Sequence, residues 1–159
     1  MTVHTCMKQR VISVQQNTTL EMAAAVIRED HIGTLPVVDH DRKLVGMLRL
    51  ENLLALVMPD FVHLVEHFEF AHDFGYLEHV KPDPSALKGA VRDIMEEPIS
   101  VLADSGVLRA AALLHLRDLR DLPVVDAENT LVGLVSHVDL GVALMSGWEL
   151  PELSSDTSP

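Results

Sequence analysis

Near the carboxyl end of the chain, Ser136-His137-Val138-Asp139 sets a hydroxyl and a carboxylate three residues apart, just ahead of the apolar stretch Leu140 to Met145. At a helix start this is the spacing of a capping box: Ser136 caps the helix and Asp139 reaches back to the cap's own N–H. The same geometry has a second chemistry. A helix start offers free N–H groups and the positive end of the helix dipole, and a carboxylate there can accept both hydroxyls of a ribose. Spacing by itself favours the cap, and the two roles can coexist.

His63 and His67 stand at the i, i+4 spacing of a metal pair, with Glu66 on the same face of the helix expected there. No third ligand accompanies them, so a solvated helix face is the expectation and no metal site is assigned. Were these histidines to border an interface, protonation near pH ~6 would shift it. The sequence contains no G-x-S-x-G, P-loop, H-E-x-x-H or C-x-x-C pattern. No catalytic residues are assigned, and a non-enzymatic protein is expected.

What must position these groups is a repeat. Aligning 11–46 with 98–133 at an offset of 87 gives 14 identities in 36 positions. They fall in blocks: Ile12-Ser13-Val14 with Ile99-Ser100-Val101, Ala23 to Ala25 with Ala110 to Ala112, Leu35 to Asp39 with Leu122 to Asp126, and Leu44-Val45-Gly46 with Leu131-Val132-Gly133. Upstream, Val3 and Met7 match Val91 and Met95 at an offset of 88. A duplication accounts for this pattern. In each copy a β-branched strand (Val11 to Val14; Ile99 to Val101) precedes polar turn residues. An amphipathic helix follows, with Leu20, Ala23, Ala24 and Ile27, or Val107, Ala110, Ala111 and Leu114, on its apolar stripe. Two strands joined by a polar turn, then a last helix, complete the order β-α-β-β-α. A unit of about 50 residues buries too little alone, so the two copies are expected to pack as one α/β module.

The repeated order of Ile-Ser-Val, helix, Leu-Pro-Val-Val-Asp, Leu-Val-Gly and Ser136-x-x-Asp139 resembles the cystathionine-β-synthase (CBS) domain, and the tandem pair resembles a Bateman module. The resemblance covers Val3 to about Leu56 and Val91 to about Met145. It implies a cleft between the repeats in which Asp139 holds the ribose of an adenosine ligand: AMP, ADP, ATP or S-adenosylmethionine. Ser136 and His137 would join Asp139 from the second copy, with Ile12 on adenine and Gly33, Thr34 and Pro36 around its edge. The pseudo-symmetric cleft would take Arg49, Asn52, Ile99, Arg120, Asp121 and Pro123. Asn52 stands there in place of the ribose Asp, so this cleft is expected to be weaker or empty. The resemblance further implies a homodimer built on the helices Leu20 to Ile27, Val107 to Leu114 and the two C-terminal helices. The ligand would be regulatory, no cofactor would be required, and an unidentified effector protein would read the change. The alternative is a ligand-free interaction module.

Residues 1–56 and 85–147 are thus the two repeats. Between them, 57–84 holds all four Phe (Phe61, Phe68, Phe70, Phe74) and the only Tyr, Tyr76. Phe61, Leu64, Val65 and Phe68 fall on one helical stripe, and Ser85 is expected to cap the helix leading to Asp93. This insertion is expected to be ordered, covering an exposed face or building a subunit interface. The tail 148–159 is rich in Ser, Pro and acid and is expected to be disordered.

The chain has 159 residues, 12 Lys+Arg and 24 Asp+Glu, hence a net charge of −12. That balance argues against nucleic acid or an anionic membrane as partner. The longest wholly apolar run, Leu53 to Met58, falls far short of the roughly 20 residues of a membrane span. With no leader-like segment and one cysteine, Cys6, a cytoplasmic protein is expected.

Overall fold

A computed structural model describes residues 1–58 and 81–151. The aromatic stripe from Phe61 to Phe68, the His63/His67 pair and the tail beyond Pro151 lie outside the described residues. The first half contains strand β1 (Val14–Gln15), helix α1 (Leu20–Asp30), strands β2 (Thr34–Val38) and β3 (Leu44–Arg49), and helix α2 (Leu50–Leu54). After the short helix α3 (Pro84–Leu87), the second half repeats the order: β4 (Val101–Leu102), α4 (Val107–Leu116), β5 (Asp121–Val125), β6 (Leu131–Ser136) and α5 (His137–Met145). Each half forms a three-stranded sheet, ordered β1-β2-β3 or β4-β5-β6. The helix crossover makes the first strand pair parallel, and the following hairpin makes the second antiparallel.

The helices form where the apolar stripes place them. Leu20, Ala23 and Ile27 are buried on α1, and Val107, Ala110 and Leu114 on α4. Thr19 caps α1, its hydroxyl accepting from Met22 N at 3.3 Å. The hairpins turn through Asp39 and Asp126, whose carboxylates accept from backbone N–H groups two and four residues on. The turns meet each other: Leu44 N donates to Asn129 O, and Leu131 N to Arg42 O. Val38, Leu44, Val125 and Leu131 form a small apolar cluster at that junction.

Two local expectations are corrected. The opening strands begin later, because only Val14 and Gln15 lie alongside β2, pairing with Val37 and Val38. Ile12 therefore precedes the strand and stays exposed. At α3 the cap is Asp83, with Pro84 at the first helical position. Its carboxylate accepts from Ser85 N and Oγ, so Ser85 lies inside a helix that ends at Leu87. These bonds hold the exposed Asp83 carboxyl below its usual range.

The sequence order also conceals an exchange. Single 3-10 turns at Val3–Thr5 and Val91–Asp93 precede the two halves. Val3 N donates to Ser105 O and His4 N to Ala103 O, while Val91 N donates to Thr18 O and Arg92 N to Gln16 O. Lys8 and Leu134 bond reciprocally through their backbones, as do Glu96 and Met47. Val3, Cys6 and Met7 accordingly pack in the second core, and Val91, Ile94 and Met95 in the first. Each core is completed by the segment that opens the other repeat.

The exchange requires close backbone approach at Gly46 and Gly133. A Cβ on Gly133 would fall 2.5 Å from Met7 Sδ and 3.2 Å from Lys8 O; on Gly46 it would fall 2.5 Å from Met95 Sδ and 3.3 Å from Glu96 O. Gly133→Ala and Gly46→Ala are each expected to destabilise the fold by about 1–3 kcal/mol, because methionine and carbonyl must both give way. Chemical denaturation checks this; an unchanged midpoint would show that the segments yield freely.

Candidate functional site

The start of α5 follows directly from β6. Asp139 Oδ2 accepts from Ser136 N at 2.9 Å and Ser136 Oγ at 2.7 Å, and Ser136 Oγ in turn accepts from Asp139 N. The capping box is therefore formed. Lys8 Nζ stands 3.8 Å from the same Oδ2. Among the described residues Oδ1 has no such partner, and Asp139 itself borders a separate depression with Cys6, Val138 and Val142.

Lys8 links this carboxylate to the cleft between the halves. A cavity of about 280 Å³ is lined by Lys8, Arg10, Ile12, Gly33, Thr34 and Asp121 among others. That is close to the lower end of the about 300–1,000 Å³ typical of small-molecule pockets. It joins a half-exposed apolar side chain, a stretch of backbone at the head of β2, two cations and one carboxylate, Asp121. Among the described residues Thr34 is the one buried polar side chain. Cys6 lies under the same corner, and its thiol is pushed up by burial first and by the Asp139 charge second.

The pseudo-symmetric corner has the same backbone and different chemistry. Asn52 replaces Asp139 and Arg49 replaces Ser136. Asn52 Oδ1 accepts from Arg49 N at 2.7 Å, so an amide performs the capping half of the role. Its Nδ2 donates to Glu96 Oε1 at 2.7 Å. Arg49 Nη2 and Nε donate to the same oxygen at 2.9 and 3.2 Å. Glu96 occupies the position equivalent to Lys8. The second carboxylate oxygen of Asp139 thus has as its counterpart a donor already satisfied by a carboxylate. A cavity of about 450 Å³ next to it is lined by Gly33, Thr34, Arg49, Glu51 and Arg120.

Of the residues expected in the main cleft, Ile12, Gly33 and Thr34 line the first cavity. Ser136 and Asp139 form the adjoining helix start, His137 is exposed beside it, and Pro36 is fully buried within β2. For the second cleft, Arg49 and Arg120 share a cavity and Asn52 caps α2, while Asp121 faces the first cavity. Ile99 packs against the second core and Pro123 is buried in β5. Lys8, Arg10 and Glu96 were missed. The offset of 88 pairs Lys8 with Glu96, and the opposite signs of that pair beside Asp139 and Asn52 were the available signal.

Burial presses the Glu96 carboxyl upward, but the hydrogen bonds from Arg49 and Asn52 and the Arg49 charge outweigh it, leaving it below its ordinary value of 4.5. The same contact, led by the hydrogen bond to Glu96, raises Arg49. A depressed carboxyl stabilises the fold above its unfolded value, and that contribution disappears as pH falls through the folded one. With Glu96 38% exposed, the pair is worth about 0.2–1 kcal/mol. Glu96→Gln is expected to lower thermal stability at neutral pH and to match the parent well below pH 4.5. A constant difference at all pH values would refute the pairing.

The CBS domain family model matches residues 3–59 and 91–145. An uncharacterized protein of Methanocaldococcus jannaschii is 28% identical over 156 residues, covering 91% of this chain and 92% of that protein. CBSX2, a CBS-pair protein from Arabidopsis thaliana, superposes with a TM-score of 0.71 at 28% identity, covering 91% of this chain and 94% of that one. In its complex with AMP the TM-score is 0.69 at 26% identity, covering 91% of this chain and 96% of that one. The CBS domain pair of MJ0100, solved with 5'-methylthioadenosine and S-adenosyl-L-methionine, shares the fold: 21% identity, TM-score 0.68, and 94% and 98% of the two chains. With the repeat, the interlocked halves and the capped helix starts all accounted for, the chain belongs to the CBS domain family and carries that domain twice, as a Bateman module.

Proposed function

We propose that this CBS pair is a non-catalytic sensor that binds an adenosine-containing ligand at the corner formed by Lys8, Ile12, Thr34 and Asp139. The observation that carries this reading is the Asp139 carboxylate, whose Oδ2 holds the helix start and stands 3.8 Å from Nζ of Lys8, a residue of the cavity wall. There it can accept the ribose hydroxyls, with Ile12 against adenine and the Gly33–Thr34 backbone reading its edge. Lys8 and Arg10 bring positive charge to the same cavity. Phosphates complement that charge, whereas the sulfonium of S-adenosylmethionine does not, so a nucleotide is favoured. The AMP complex of CBSX2 supports the ligand class.

A ligand of this kind regulates only by differential affinity for two states. The surfaces that could report the change are helical. Met22 on α1, Leu108 on α4 and Val138 and Val142 on α5 are exposed apolar residues, suited to a homodimer through these helices or to an effector protein. Among the described residues no helix is long and apolar enough to cross a membrane. The free Cys6 accords with a cytoplasmic setting.

Isothermal titration with AMP, ATP, S-adenosylmethionine and NAD tests the proposal. Saturable binding of one equivalent of AMP or ATP per chain, tighter than S-adenosylmethionine, is expected. Silence from a folded protein across the panel would overturn it and leave the helix surfaces as the working part.

A further inference from the structure

One residue of the first cavity runs against its basic wall. Asp121 opens β5, where it pairs with Ser136 of β6, and Leu134, two residues back along β6, pairs with Lys8. Residues opposite one another in an antiparallel pair, and residues two apart along a strand, point to the same face. Asp121, Ser136, Leu134 and Lys8 therefore share one face of the second sheet. The strand alternates accordingly, Leu134 lining the cavity while Val135 turns into the core. Asp121 and Lys8 lie on opposite edges of β6, two strand spacings or about 10 Å apart. Lys8 has its own carboxylate in Asp139, at 3.8 Å. The cavity is thus basic where the opening segment brings Lys8 and Arg10, and acidic where β5 brings Asp121.

The other cavity has no carboxylate at this place. The repeat sets Thr34 at the position equivalent to Asp121, and there the neutral side chain is joined by Arg49 and Arg120, with Glu51 supplied from α2. Resting on the reading of the first corner as a nucleotide site, we infer that Asp121 sets how many phosphates its ligand carries. It admits the monophosphate of adenosine and turns away the di- and triphosphate. Lys8 and Arg10 complement one phosphate group. Each further phosphate adds negative charge to a space of about 280 Å³ that already holds a carboxylate. Protein walls lower the dielectric around those charges, so the repulsion is stronger than it would be in water. Adenosine itself, which carries no charge, neither gains nor loses by Asp121.

Titration calorimetry of the full chain with adenosine, AMP, ADP and ATP tests this, with EDTA present so that no divalent cation masks the phosphates. The parent is expected to bind AMP about tenfold more tightly than ATP, with ADP between them. Asp121→Asn keeps the shape of the side chain and removes its charge. It should tighten ATP by about tenfold, tighten AMP by less and leave adenosine unchanged. Asp121→Thr, which copies the residue at the same place in the first repeat, should act in the same direction and guards against a folding defect peculiar to the amide. A parent that prefers ATP, or an AMP-to-ATP ratio that the folded variants leave unchanged, would overturn the inference while leaving the nucleotide site standing. A folded parent silent toward all four ligands would overturn the reading of the corner itself, and the inference with it.

Discussion

Asp139→Asn is expected to weaken nucleotide binding by about 10- to 100-fold while leaving the start of α5 intact. The molecule contains its own control, because Asn52 Oδ1 accepts the equivalent backbone N–H at 2.7 Å. An amide can therefore keep the cap, and what the substitution removes is the charge and the second accepting oxygen. Hydrogen bonds to a charged group contribute roughly 1.5–3 kcal/mol, which sets the range. Asp139→Ala would lose the cap as well, at a further cost of about 1 kcal/mol in stability. Titration calorimetry beside thermal denaturation separates the two effects. Parent-like affinity in Asp139→Asn would show that the carboxylate serves the helix alone.

The second large effect is a gain. Arg49→Ser, Asn52→Asp and Glu96→Lys together rebuild, in the second corner, the set formed by Ser136, Asp139 and Lys8. The triple variant is expected to bind two nucleotides per chain where the parent binds one. In the parent, Glu96 Oε1 takes three hydrogen bonds from Arg49 and Asn52, so the position corresponding to the second oxygen of Asp139 is a satisfied donor. Asn52→Asp alone would set two carboxylates at a contact that now measures 2.7 Å, and should lower the melting temperature. Adding Glu96→Lys should restore it. A folded triple variant that still binds a single equivalent would show that side chains elsewhere, Arg120 foremost, decide the difference between the clefts.

The offset of 87 made the fold legible, because identical blocks must build identical local structures and neither half buries enough alone. The capping box was legible for the same reason: its geometry is contained within four residues. Lys8 and Glu96 were not. They lie in extended segments with no periodicity of their own, and their neighbours are set by backbone bonds to the opposite repeat. The cap at α3 was misplaced by two residues, since Asp83 and Ser85 both cap well and only the φ of Pro84 separates them. Symmetry places Asp121 in the second cleft, yet it lines the first cavity, while Gly33 and Thr34 near the pseudo-two-fold axis line both.

The exchanged opening segments impose an order on synthesis. As the chain emerges from the ribosome, the first half cannot close its core until Val91, Ile94 and Met95 have followed it out. Val3 has no place to go until Leu122, Val124 and Val135 have been added. The segment around Val3 therefore waits, while the whole first half is made, for the strands it packs against. Closing the second core then joins a segment to strands made long after it.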